Sequence, residues 1–353
     1  MDRRGYGERG QASISYAGVL AIVALVFVAV FALGLEGKVG ANVSQAVCTI
    51  FAGTDCGEPR EGASGYADDP YEDSGEADRE IFDDECSGDV PDDPSRAGDD
   101  DAVGDDQVDQ AYENLGRVYD YYHDTFGWDS YDGEGGPVIG VVNYCEGGSS
   151  SGVSQWDGER VLFAPGAGDA LDTAAHEFTH GVTASTAGLE YQCQSGALNE
   201  SISDIMAWNL DPEDPTYGED RNGDGPDDPD GGTIRDYRSP TRFDQPMHVD
   251  DYNASDNDRF GDWGGVHTNS GIPNHAYYQL VARIGRDKAE QLVWRALTEH
   301  LDSDSNFEDF RTAMLDSARE LFGEDGPEQQ GVDEAFATVG LDGTWEAPDQ
   351  EGC

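Results

Sequence analysis

Lysine is nearly missing from this chain. Lys38 and Lys288 are the only two among 20 basic residues, set against 74 Asp and Glu, for a formal net charge of −54 over 353 residues. A surface of that sign repels phosphate backbones and argues against a nucleic-acid partner. Cysteine is sparse too: Cys48, Cys56, Cys86, Cys145, Cys193 and Cys353, with no C-x-x-C pair, so a thiolate metal or redox centre is not expected. The even count suits disulfides in a chain whose bulk lies outside the cell. Only 37% of the residues are hydrophobic, and part of that share sits in one N-terminal run. The folded core must therefore come from a portion of the chain. Abundant carboxylate with little lysine fits a protein kept soluble in high salt, a halophilic surface. Acidic linkers and calcium sites would give the same composition.

No charged residue lies between Arg9 and Glu36. The apolar part, residues 17–35, is long enough as a helix to cross a bilayer core. Arg3, Arg4 and Arg9 precede it, which keeps residues 1–16 cytoplasmic and sends the remainder across. Two readings stand. One is a single-pass anchor with the rest of the chain extracellular. The other is a leader cut at a small-residue site near Ser44-Gln45-Ala46, giving a secreted protein. Residues 36–106 read as an acidic, disordered linker. From residue 57 to 106 there are 20 acidic residues and only Arg60, Arg79 and Arg96 as bases. Such a segment buries too little apolar area to offset its ordering entropy. Cys48 and Cys56 are positioned to close a small ring, and Cys86 to tie the linker locally.

Order resumes near Val108. Apolar residues at helical spacing run over 108–122, and 137–144 and 160–163 read as strands. Residues 170–183 then carry HEFTH at 176–180 on a helical pattern. His176 and His180, four apart, share one helix face, so both imidazoles can reach one ion, while Glu177 is offset toward a water. The bare motif arises by chance in about one chain in a hundred of this composition, so a third ligand has to decide. Residues 196–205 read as a second helix, and its Glu200 would complete two imidazoles plus one carboxylate with an open position, the pattern of a catalytic zinc. Asp204, one turn beyond, can take the free N–H of a ligating histidine.

The segments HEFTH (176–180), AGLEYQ (187–192), GALNESISD (196–204), GGVHTNSG (264–271), IGRDK (284–288), SNF (305–307) and AFATVG (335–340) resemble, in order, those of a thermolysin-like zinc metallopeptidase. Upstream YDYY (119–122) and SYDG (130–133) fit as well, so the resemblance spans about residues 108–341. It implies an α+β, two-lobed zincin: a small mixed N-lobe over 107–205 bearing the zinc helices, a mainly helical C-lobe over 206–345, and a tail at 346–353. It implies a zinc endopeptidase in which Glu177 is the general base and Tyr191 and His267 stabilise the oxyanion. In the same way Asp262 orients His267, Asn199 and Asp204 support the ligating histidines, and Arg235 binds a substrate carbonyl. Arg235 could instead pair with Asp236. Asp172, Asp211 and Glu219 match calcium ligands, and residues 220–225 open like a calcium loop without its closing Glu. The expected partners are proteins or peptides, with a preference for an apolar residue after the cut, and the catalytic domain is expected to be monomeric.

The chain also departs from the family. The acidic linker stands where the family has a longer β-rich section and a propeptide. The substrate-binding edge strand reads Val153-Ser154-Gln155-Trp156 where Asn-Ala is usual, leaving Ser154 and Trp156 as its substrate contacts. A Cys145–Cys193 disulfide is expected to brace the cleft. The N-terminal stretch 9–13 resembles a pilin-type leader but carries Ser15 where a Glu is usual. Helical stripes over 275–301, 307–322 and 332–339 supply the second lobe, and residues 342–353 carry no readable role. Two other functions compete: a catalytically silent calcium- and zinc-binding surface or pilus-like structural protein, and an aminopeptidase.

Overall fold

The computed structural model describes residues 77–145, 153–212, 215–218, 233–348, 350 and 352–353. The apolar run at 17–35, the Cys48–Cys56 ring, Glu219 and the loop at 220–225 lie outside the described residues. Among the described residues no helix is long and apolar enough to cross a membrane.

A five-stranded sheet comes first, in the order β2-β1-β3-β5-β4. Its strands are β1 (Arg79–Asp83), β2 (Arg96–Ala97), β3 (Val138–Val142), β4 (Gln155–Trp156) and β5 (Val161–Leu162). β1, β3 and β5 run parallel, while β2 and β4 are antiparallel edges. Helix α1 (Asp106–Phe126) packs on this sheet through Val108, Ala111, Leu115 and Val118. Asp105 starts it, accepting from the amides of Gln107 and Val108, a cap worth about 1 kcal/mol. Gly127 ends it in the left-handed conformation, with φ 68°. Gly140 sets the approach of helix to sheet: a Cβ there would stand 2.8 Å from Ile81 Cδ1 and 2.9 Å from Leu115 Cδ1.

β1 and β2 correct the expectation of a disordered linker up to residue 106. Two of the linker's three basic residues are the reason. Arg79 and Arg96 are buried, both stack on the Tyr112 ring, and Arg79 Nη1 donates to the Tyr112 carbonyl at 2.6 Å. Ile81 is fully buried between them in sequence. The acid-rich composition concealed a strand only five residues long.

Helices α2 (Leu171–Ser185) and α3 (Cys193–Leu210) follow, and α3 is buried along nearly its whole length. The expected lobe boundary at 205/206 falls inside this continuous helix. After the short pair β6 (Thr216–Tyr217) and β7 (Arg235–Asp236) come α4 (Asp262–Asn269), α5 (Gly271–Ile284), α6 (Arg286–Glu299), α7 (Phe307–Phe322) and α8 (Pro327–Ala337). The single stripe read over 275–301 is two helices, because Gly285 at φ 87° turns the chain between α5 and α6. Aromatic rings knit α6 to α1: Phe126 stacks on Trp294 at 4.4 Å, and Tyr122 lies 5.7 Å from Phe178 of α2.

Among the described residues the disulfides are Cys86–Cys145 and Cys193–Cys353. This corrects the expected Cys145–Cys193 bridge. In the parallel register Asp83 faces Val142, so Cys86 and Cys145, each three residues further on, emerge side by side.

Glu290 of α6 faces Tyr121 of α1, whose hydroxyl lies 3.4 Å from it. Burial, with Asp287 adding like charge, pushes the Glu290 carboxyl up to about 7. The neutral acid is therefore favoured in the fold, and the stability it contributes is present below the ordinary carboxylate range and lost as pH rises through about 7. Glu290→Gln should melt higher than the parent above that pH, with the gap closing in acid. Melting curves across pH test this, and a constant gap would refute it.

Candidate metal centre and active-site cleft

The helical period places His176 and His180 on the same face of α2, turned toward α3. His176 Nε2 lies 3.2 Å from His180 Nε2. Glu200 of α3, only 1% exposed, brings Oε2 to 3.4 Å from His176 Nε2 and Oε1 to 3.5 Å from His180 Nε2. These three side chains are the one group of metal-ligand type found among the described residues.

The donor set fits zinc. Ligand atoms each about 2.0–2.1 Å from a tetrahedral ion stand about 3.3 Å apart, close to the separations here. Two facing imidazole nitrogens and a buried carboxylate oxygen, Glu200 Oε2, that accepts no hydrogen bond also need a cation between them. Burial pushes the His176 imidazole down, but Asp204 and Glu200 outweigh it and push it up to about 10, so the site demands positive charge.

The remaining ring nitrogens are held from behind. His180 Nδ1 donates to Asn199 Oδ1 at 2.8 Å, with Ser203 Oγ at 3.3 Å, and Asn199 Nδ2 donates to the Leu189 carbonyl. His176 Nδ1 lies 2.9 Å from Asp204 Oδ1. Both contacts direct Nε2 inward. Arg235 does not pair with Asp236. Its Nε and Nη2 donate to Asp204 Oδ1 at 3.1 and 2.6 Å, and its guanidinium lies over Tyr217. Asp236 pairs instead with Arg238 and Arg242.

Opposite the histidines, Tyr191 Oη donates to Glu200 Oε1 at 2.5 Å and lies 3.1 Å from His267 Nε2. Burial first, then the Glu200 charge, raises the Tyr191 phenol well above its ordinary value, so it stays a donor. His267 is pushed up, first by Glu200, with its Nδ1–H donating to Asp262 Oδ1 at 2.6 Å. Asp262 Oδ2 also accepts the His267 and Thr268 amides. The turn that delivers it is unusual. Asp262, Trp263, Gly264 and Gly265 are all left-handed, which costs roughly 1–2 kcal/mol at each residue bearing a Cβ.

Glu177 is buried in the wall of the same cleft, of about 910 Å³, and among the described residues its carboxylate has no hydrogen-bond partner. β4 forms one rim. Trp156 packs on Gly181, where a Cβ would meet the indole at 2.9 Å. Ser154 lines the cleft, but its hydroxyl already accepts the Ala164 amide at 3.1 Å and anchors the edge.

Two family models match the chain in succession: the thermolysin metallopeptidase catalytic domain over residues 82–184, and the thermolysin metallopeptidase alpha-helical domain over residues 187–341. Neutral protease NprE of Bacillus pumilus is 40% identical over 238 residues, 65% of this chain and 76% of that protein. This chain belongs to the thermolysin metallopeptidase family. Bacillolysin of Bacillus amyloliquefaciens is 41% identical over 238 residues, again 65% of this chain but 44% of the relative, so the chain spans less than half of that protein's length. Among solved structures, the precursor of protealysin, a metalloproteinase from Serratia proteamaculans, superposes with a TM-score of 0.67 at 31% identity, over 76% of this chain and 88% of that one. The family's catalytic match starts at residue 82, inside the segment read as linker.

Of the thermolysin-type calcium ligands expected, Asp172 is buried, and its carboxylate accepts the Thr173 and Gly218 amides, each at 2.5 Å. Asp211 caps the end of α3. Sequence reasoning missed Ser203, Asn274, Tyr217, Ile234, Arg259 and Trp263, which support or line the cleft. Ile234 and Trp263 adjoin motif residues, so their position was the signal. Asn274 gave none.

If Asn199 orients His180, Asn199→Ala should weaken zinc binding about 10- to 100-fold. Competition with a chromophoric chelator measures this, and unchanged affinity would refute the role.

Proposed function

We propose that this protein is an extracellular zinc-dependent endopeptidase. The observation that carries the reading is the meeting of three groups in one cleft: the His176–His180–Glu200 donor set, the unengaged Glu177 carboxylate beside it, and the Tyr191–His267 pair opposite.

His176, His180 and Glu200 would hold zinc, which when bound supplies Lewis acidity toward a carbonyl oxygen and an acidified water. Glu177 takes the water's proton and returns it to the leaving amine. Tyr191 and His267 donate to the oxyanion as the carbonyl carbon becomes tetrahedral, with His267 held by Asp262. The substrate backbone adds to the β4 edge beside Trp156, an antiparallel edge strand with no neighbour on its outer side among the described residues. Ser154 contributes by fixing that edge. Arg235 reaches the substrate carbonyl while anchored on Asp204. Ile234 and Val153 give the cleft apolar wall, which supports an apolar residue after the cut.

Asp172, Asp211 and Glu219 form a structural calcium site in this reading, supported by the inward carboxylate of Asp172 beside Gly218. Residues 17–35 tether the enzyme to the membrane or are removed to secrete it, and the catalytic domain acts as a monomer. A catalytically silent metal-binding protein would have no use for Glu177, Tyr191 and His267 together.

The test is cleavage of an unstructured protein by the parent chain and by Glu177→Ala, with zinc content measured for both. The variant should keep zinc and lose activity by about 10²–10⁴-fold. A zinc-loaded parent that cleaves nothing, at any salt concentration, would overturn the reading.

A further inference from the structure

The left-handed turn carrying Asp262 is held from two directions. Its amides are held locally: Trp263 N donates to the Asp258 carbonyl and Gly264 N to the Asp256 carbonyl. Its outward carbonyls are held by a segment far away in sequence. Gln350 Nε2 donates to the Ser255 carbonyl at 2.5 Å and the Gly264 carbonyl at 3.1 Å, while Gln350 Oε1 accepts from Tyr252 Oη at 3.0 Å. Asn257 Nδ2 bridges the Gly352 carbonyl and Gln192 Oε1, both at 2.8 Å. Cys353 is bonded to Cys193, the first residue of α3. The contact is close: a Cβ on Gly264 would stand 2.9 Å from Cys193 Sγ and 3.0 Å from Gln350 Nε2. One short segment therefore joins the start of the helix that bears Glu200 to the turn that bears Asp262.

We propose that Gln350, Gly352 and Cys353 form a positioning strap, with Gln350 and the Cys193–Cys353 bond fixing the Asp262 turn, and through it His267, against the helix that carries Glu200. Strained backbone persists only where its surroundings over-determine it. Here the local bonds from Asp256, Asp258 and Asn269 are joined by this distant segment, which gives the Gly264 carbonyl its shorter hydrogen bond. The His267 ring is half exposed and its position is set by three side chains, Asp262 on Nδ1 and Tyr191 and, at 3.5 Å, Glu200 on Nε2. A turn free to relax would let the imidazole drift from the place where an oxyanion forms. The strap touches neither the cleft nor the metal ligands, so its effect falls on the chemical step more than on substrate binding. Its catalytic consequence rests on the peptidase reading, but its structural one does not.

Two variants test it, Gln350→Met and the double Cys193→Ser/Cys353→Ser. Hydrogen exchange over residues 255–268, zinc content, kcat and KM are measured on each. Both should exchange faster in that turn and not in α2, keep one zinc per chain, and lose about tenfold in kcat with KM nearly unchanged. Exchange and kcat like the parent's in both variants would overturn the strap, as would a loss of kcat matched by loss of zinc. A zinc-loaded parent that does not cleave sinks the peptidase reading alone, since turn exchange still decides the strap.

Discussion

Asp204 is wholly buried, yet it accepts from a guanidinium and an amide and lies against an imidazole, the three brought from different elements. Arg235 comes from β7, Asn274 from α5 at 2.8 Å, and His176 from α2. A lone carboxylate there would be prohibitive, and removing one partner of a buried pair costs on the order of 3–5 kcal/mol. The fold must therefore bring all three together for α3 to be buried at all. Once they meet, His176 has one orientation, with Nε2 toward His180 and Glu200. The meeting of His176, His180 and Glu200 follows from satisfying this carboxylate, and Arg235 is structural in the same contact that places it in the cleft wall.

Electrostatics then divides the cleft. On one side the carboxylates of Glu200 and Asp204 draw in positive charge. On the other, the phenol of Tyr191 and the imidazole of His267 keep their protons because burial or the Glu200 charge opposes losing them. The Glu177 carboxylate lines the same cleft. This separation of acceptors from donors within one pocket is what the proposed hydrolysis of an amide needs.

Much of this was legible from spacing. Residues four apart on a helix share a face, so HEFTH could be read as an imidazole pair without any knowledge of the fold, and the strand at 138–142 and the helix at 307–322 follow from their own periodicity. Composition misled where a short, locally atypical element sat in a long biased stretch. Ile81 and Phe82 are an apolar pair among many acids, and nothing near them in sequence says that Arg79 and Arg96 will stack on Tyr112. The disulfides failed for a related reason. Proximity to the cleft suggested Cys145 with Cys193, but strand register chose Cys86.

The sequence alone therefore singled out His176, Glu177, His180 and Glu200 and the order of the helices that present them, because each depends on contacts within a few residues or on motifs whose spacing carries the chemistry. The tertiary structure decided the rest: that Cys145 meets Cys86 across 59 residues and Cys193 meets Cys353 across 160, that Arg235 takes Asp204 over its neighbour Asp236, and that the last few residues brace the Asp262 turn. Such pairings carry no local signal. Each partner is chosen by packing and by burial of charge, which exist only once distant segments have come together.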